Sequence, residues 1–336
     1  DENNLREKIQ FKTKVKTAQW DSSSATWRLG IEKDESGQLE DVSCKVLYLC
    51  GGYYNYDHGY LPEFKGYHDF EGTIKLIFQP GEELLPGGAS LMIKEGVLEN
   101  PKVDKIVALH VFPSMDVGRV GFRSGQYMAA CDELYLSVKG KGGHAALPHQ
   151  YNNPVMIIAE LLPKLEVYLN SLSDQKSPYV FAFGKLQAEG ATNVIPETAK
   201  ADGTLRTMDE KWRTIVHQKL EQFVVQFLAS KNAQGHLCIT KGYPSLQNDE
   251  ALTKRSMQSA ADYLGTDNVE EMDIRMTAED FSFYSQKIPA CFFRLGVRNQ
   301  DLGISYGVHH PKFDIDKNAL KIGAGLMAHL ALKALD

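Results

Sequence analysis

Residues 72–98, GTIKLIFQPGEELLPGGASLMIKEGVL, set the reading of everything around them. GTIKLIFQP (72–80) predicts a strand that Pro80 ends, because proline cannot donate to a sheet ladder. GGASLMIKEGVL (87–98) predicts a short helix closed near Gly96. Between them stand adjacent acids, Glu82 and Glu83. Neighbouring side chains in a continuing strand face opposite ways. In a loop after Pro80 both can turn into one cleft. A strand, an acidic loop and a helix in that order is one unit of an α/β layer.

Working towards the C-terminus, the alternation continues. KIVALHVF predicts a strand with His110 near its end, and ELYLSVKG (133–140) another. NPVMIIAELLPKLEVYLNSL has helical spacing, which Pro163 should kink or break. YVFAFGKLQ, KADGTLRT and HLCITKGYP read as strands. DEKWRTIVHQKLEQFVVQFLAS (209–230) predicts an amphipathic helix, capped by Asp209, with Trp212, Ile215, Val216, Leu220, Phe223 and Phe227 on one face. ALTKRSMQSAADYLG predicts a helix ended by Gly265, and the tail from Lys317 to Leu335 a final one.

Towards the N-terminus the character differs. Residues 8–49 are β-rich: IQFKTKVKTAQW alternates with period two, and TWRLGIE and CKVLYLC are strand-like, with ESGQ (35–38) as a turn. GGYYNYDHGYLPEFKGYHDF (51–70) reads as a Tyr- and Gly-rich loop.

Of the 336 residues, 43% are hydrophobic and 24% charged, which excludes chain-wide disorder. The formal net charge of −6 argues against a nucleic-acid phosphate partner. No apolar run approaches the ~18 residues of a membrane span. The charged start, DENNLREKIQ, carries no secretory signal. Five scattered cysteines read as reduced thiols. A cytoplasmic location is expected.

Two short patterns carry less than they suggest. GKGGHA (140–145) fits a dinucleotide fingerprint, yet Pro148 and the polar HQYNNP tract delay the helix that such a site needs at once. GISYG (303–307) fits a nucleophile elbow around Ser305, but Pro311 blocks an immediate helix.

The chemistry-bearing positions are Glu82 and Glu83, His110 after KIVAL, and His309 in VHHPKFDID. Acids and imidazoles at several strand ends are how α/β proteins assemble metal sites, because loops converge at one sheet edge. A solvated acid pair and structural histidines would look the same on spacing alone.

The chain from about residue 70 to 336 resembles the aminoacylase/carboxypeptidase family of metallopeptidases, in the amidohydrolase branch of indole-acetyl-amino-acid and hippurate hydrolases. The carriers, in order, are GTIKLIFQPGEELLPGGASLMIKEGVL, ALHVFP, VKGKGGHAALPH, NVIPETAKADGTLRT, AEDFSFY and HHPKFDID. The resemblance implies an α/β catalytic lobe (71–126 and 242–336) interrupted by a ferredoxin-like α+β lid and dimerisation domain (127–241). It implies Glu82 as general base, Glu83 and His309 as ligands of one divalent metal (Zn or Mn), and His110 as ligand of a second. His144 would reach the oxyanion across a homodimer. Asn193 and Arg206 would hold the substrate, Arg206 gripping its free carboxylate. The plainer readings stay open: His144 and Asn193 as turn residues, Arg206 as a surface ion pair.

The implied activity is hydrolysis of N-acyl amino acids or small peptides with a free carboxylate. The family's H-x-C-G-H-D-x-H metal motif is absent, so the activity is expected to be impaired and at most one metal to be held, weakly. Alternatives are a catalytically weak dimeric carboxylate-binding module or a promiscuous esterase. Cys50, Asp57 and His58 are the candidate surrogate ligands, although CGGYYNYDH does not keep the motif's spacing. Residues 1 to about 70 resemble a piece of a flavin-dependent monooxygenase, through IQFKTKVKTAQW, ATWRLGIE and VLYLCGGYYNYDHGYLPEFKGYHDFEGTI, with a crossover at about 69–74. Lacking a dinucleotide glycine fingerprint, that piece is not expected to bind flavin.

Overall fold

The computed structural model describes residues 13–21, 26–33, 39–44, 72–173 and 176–335, with backbone only before residue 72. The chain divides into two units, Asp1–Phe70 and Glu71–Asp336. The first contains an antiparallel meander of β1 (Thr13–Asp21), β2 (Thr26–Lys33) and β3 (Leu39–Cys44), with Trp20 opposite Trp27. Cys50, Asp57, His58 and the 51–70 tract lie outside the described residues.

The second unit begins with α1 (Gly88–Lys94), β4 (Ile106–Asp116), β5 (Val120–Phe122), β6 (Gly125–Met128), β7 (Ala130–Lys139) and β8 (Gly143–His144). It continues with α2 (Pro154–Leu172), β9 (Tyr179–Gln187), β10 (Val194–Ile195), β11 (Thr198–Thr207), α3 (Glu210–Ser230) and β12 (Gln234–Lys241). It closes with β13 (Leu246–Asn248), α4 (Glu250–Leu264), β14 (Val269–Glu271), α5 (Ser282–Ser285), β15 (Ala290–Arg298) and α6 (Asn318–Lys333). No described helix is long and apolar enough to cross a membrane.

One sheet has the order β14-β5-β15-β4, with β15 parallel to β4. Strand β15, ACFFRLGVR, is buried along nearly its whole length, as expected of a strand covered on both faces. Its odd positions, Cys291, Phe293, Leu295 and Val297, pack with α4 and α6. On the other face, Phe292 packs with α5 and with Ala89 of α1.

The other large sheet, β12-β7-β11-β9, is wholly antiparallel. Its β-α-β-β-α-β chain order is the ferredoxin-like plait. Leu134, Leu136 and Val138 of β7 alternate with outward residues and meet Ile158, Leu161 and Leu165 of α2 and Val216, Leu220 and Val224 of α3. The α/β lobe and α+β plait expected from the resemblance are thus both present.

Four expectations need correction. Residues 73–80 form no strand: Leu76 and Phe78 are 76% and 71% exposed. Among the described residues nothing pairs with them, and a strand without a ladder has no stabilising partner. Helix α2 runs unbroken through Pro163, because its buried stripe is anchored on both sides of the proline. In α3, Ile215 is exposed, while Arg213 occupies the buried face. His110 is not near a strand end. Strand β4 continues six residues beyond it to Asp116, because β15 supplies a partner as far as Arg298.

Candidate metal centre

Two turns after Pro80 carry the chain into α1, with Leu84 N–H donating to Gly81 O and Gly87 N–H to Leu84 O. They leave Glu82 half-buried and Glu83 exposed. Gly87 has φ +86° and lies so close to Asp280 and Tyr243 that a Cβ there would sit 2.7 Å from Asp280 Oδ2. Only glycine suits that position.

A second acidic pair meets this loop. Ligand-capable oxygens of Glu82, Glu279 and Asp280 all lie within 4.8 Å of one another. Asp280 is anchored: it accepts from Ala89 N–H at 3.0 Å and from the Gln79 amide. Glu279 is buried, and burial together with the Glu82 charge pushes its carboxyl up to about 7. Burial, then the charges of Asp280 and Glu83, also raise Glu82. Like charges gathered in a partly dry pocket hold a proton or a cation.

Glu83 and His309 approach to 3.9 Å, with side chains 77% and 80% exposed, so both retain free coordinating faces. His110 Nδ1 donates to Val111 O at 2.7 Å, which leaves Nε2 as its ligand-capable atom. Burial lowers its pKa, and the charges of Arg294 and Arg275 lower it further. The donor set of carboxylate oxygens and imidazole nitrogen fits a divalent cation.

The remaining candidates sit on the plait. His144 is exposed in the β8–β10 ladder, paired with Val194, and its Nδ1 accepts from Ala146 N–H. Asn193 is exposed beside it, its carbonyl accepting from Ala145 N–H. No hydrogen bond or ion pair joins either to the carboxylates among the described residues. Arg206 is half-buried, and its Nη1 donates to Met276 O at 3.4 Å, in the segment that leads to Glu279. Ser305 lies in an exposed loop and the next helix, α6, begins only at Asn318, so the nucleophile-elbow geometry is missing.

Sequence reasoning did not select Glu279 and Asp280. Their signal was available: AEDFSFY repeats the adjacent-acid pattern of QPGEE at a second loop.

The model of peptidase family M20/M25/M40 matches residues 60–333. The IAA-amino acid hydrolase ILR1-like 4 of Arabidopsis thaliana is 32% identical over 271 residues, covering 80% of this chain and 61% of the relative. The N-acetyldiaminopimelate deacetylase of Bacillus subtilis is 31% identical over 261 residues, covering 78% and 68%. Among solved structures, the YXEP protein of Bacillus subtilis, a dinuclear metal-binding peptidase, superposes with a TM-score of 0.63 at 27% identity. That match covers 77% of this chain and 64% of YXEP. The chain spans about two-thirds of the length of the curated relatives it matches.

Proposed function

Because the chain belongs to peptidase family M20/M25/M40, we propose that it is a metal-dependent amidohydrolase acting on N-acyl amino acids or small peptides with a free carboxylate. The observation that supports this reading is the meeting of the Glu82–Glu83 loop, the Glu279–Asp280 pair and His309 in one place. Glu83 and His309 would hold one divalent cation, Zn or Mn. Bound there, the cation supplies Lewis acidity to water and to the scissile carbonyl.

The rest is work for side chains. Glu82, half-buried beside that pair, accepts the proton of the attacking water and returns it to the leaving amine. Arg206 grips the substrate carboxylate with two parallel hydrogen bonds, and Asn193 orients it. His144, delivered by the plait of a second copy in a homodimer, donates to the developing oxyanion. A strictly monomeric mass by light scattering at micromolar concentration removes His144 from this scheme.

The test is hydrolysis of a panel of N-acetyl amino acids by protein reconstituted with Mn²⁺ or Zn²⁺. The expected result is slow release of free amino acid that a chelator abolishes. Turnover that survives chelation and yields to a serine-directed inhibitor would instead identify an esterase centred on Ser305. For residues 1–70, the likeness to a flavin monooxygenase remains a separate proposal. Incubation with FAD followed by gel filtration should leave the protein colourless.

A further inference from the structure

Arg275, in the segment between β14 and α5 that leads to Glu279, holds a guanidinium with no carboxylate partner. Its backbone is pinned: the N–H donates to Tyr127 O at 2.8 Å, and the carbonyl accepts from Ala129 N–H at 3.0 Å. The side chain lies on β4, with the guanidinium 4.9 Å over the ring of Phe112. Phe112 and His110 are two apart on that strand and so project to one face of it. The charges of Arg275 and of His309 both act on His110, which puts this guanidinium within electrostatic reach of the metal centre. Nε of Arg275 is sealed from solvent and makes no hydrogen bond. Burial and the charge of Arg294 disfavour its cation, and among the described residues only the Tyr127 hydroxyl acts the other way. Other arginines of this unit are matched: Arg213 by Asp132, Arg119 by Glu270, and Arg294 by the charge of Glu279. Arg206 reaches the same segment from the plait, its Nη1 donating to Met276 O. Two guanidiniums therefore meet at residues 275–276, just ahead of the Glu279–Asp280 pair.

Resting on the amidohydrolase reading above, we infer that Arg275 is a specificity-determining residue that takes a second substrate carboxylate, so that the substrate class is the N-acyl acidic amino acids. Arg206 holds the α-carboxylate and Arg275 the carboxylate of the side chain. A half-buried guanidinium cannot shed its proton, so an unpaired one carries a desolvation cost that an incoming carboxylate relieves. Its planar fork matches a carboxylate with two parallel hydrogen bonds, and the Phe112 ring beneath holds that plane. A neutral side chain leaves the guanidinium unpaired, and a basic one is repelled. Discrimination comes from the group that the wrong substrate leaves unmatched.

The test is calorimetric titration of chelator-stripped protein, so that binding is read without turnover. The probes are N-acetyl-L-glutamate and N-acetyl-L-glutamine, which differ only in carboxylate against carboxamide. Wild type should bind the glutamate at least ~10-fold more tightly, the scale of one charge-assisted hydrogen bond. Arg275→Gln should bring the two affinities within about 2-fold by weakening the glutamate alone. Arg275→Met, which keeps an apolar stem on Phe112, is the second neutral variant if glutamine unfolds the segment. A merely structural role would weaken both probes alike, and that result overturns the inference. So do equal affinities in wild type, no binding of either probe to wild type, or a preference that survives in a folded neutral variant. If neither neutral variant folds, Arg275 is structural and the inference falls. Hydrolysis by Mn²⁺-loaded wild type separates this inference from the reading beneath it. Chelator-sensitive turnover with equal kcat/KM on both probes overturns the inference and leaves the amidohydrolase standing. No turnover of either, with the binding preference intact, overturns the amidohydrolase and leaves Arg275 as a carboxylate-binding residue.

Discussion

The Tyr243 hydroxyl donates to the backbone carbonyl of Glu82, tying the acidic loop to the segment that links β12 to β13. Tyr243 also uses its own carbonyl, which accepts from Cys131 N–H of β7. The ring is held edge-on by Phe283. Removing the hydroxyl in Tyr243→Phe should cost about 1 kcal/mol, the usual net value of one hydrogen bond. It should also speed amide hydrogen exchange over residues 81–88. Unchanged exchange there would mean that the loop is fixed by its turns alone.

Gly88, the first residue of α1, has no room for a side chain. A Cβ would lie 1.7 Å from the carbonyl oxygen of Pro80. Gly88→Ala must therefore move the Pro80–Glu83 segment, and Mn²⁺ affinity should fall by roughly 10–100-fold, the scale of outer-shell disruptions. Gly184→Ala, where nothing lies within 4 Å, serves as the matched control and should bind normally.

Asp132 and Arg213 form a fully buried ion pair in the plait, at 2.5 Å between Oδ1 and Nη2. Burial alone would raise the Asp132 carboxyl, but hydrogen bonds from His217 and Arg213, and their charges, hold it down at about 2. The unfolded value is ~3.9. A depressed folded value means that this stabilisation is present above about pH 4 and is lost as pH falls towards 2. Acid melts should lose on the order of 2 kcal/mol in that window. Asp132→Asn should flatten that loss and, at neutral pH, cost up to about 3–5 kcal/mol, the scale of removing one partner from a buried pair, with Glu210 left as the carboxylate that Arg213 still holds. A wild-type melt insensitive to pH between 4 and 2 would falsify this assignment.

Glu82→Gln separates base from ligand. If Glu82 carries the proton, kcat on an N-acyl amino acid should fall at least ~10²-fold while Mn²⁺ content, measured by elemental analysis, stays constant. Loss of the ion along with the activity would make Glu82 a ligand in the carboxylate cluster.

Much of the fold was legible because periodicity and punctuation act locally. Asp209 ahead of an amphipathic run does cap α3, accepting from Lys211 and Trp212 N–H. Gly265 does end α4. The misreadings came from long-range effects. GTIKLIFQP has the composition of a strand, but among the described residues it has no neighbour to pair with. Pro163 carries a local penalty of ~3 kcal/mol, and a stripe buried against the plait sheet outweighs it. Arg213 looks like a surface residue in EKWRTIV; Asp132, far away in the chain, together with Glu210 and the carbonyl of Gly242, makes its burial tolerable.

The sequence by itself determined the alternating α/β and α+β segments, the acidic loop at Glu82–Glu83 and the candidate imidazoles His110 and His309. Those follow from side-chain type, spacing and chain stops, which a linear reading contains. Only the tertiary structure decided that Glu279 and Asp280 join the first acidic pair, and that Arg294 stands beside His110. Both are consequences of sheet register and loop convergence. Register is a relation between strands distant in the chain, fixed by which faces are buried, and no single stretch of sequence encodes it.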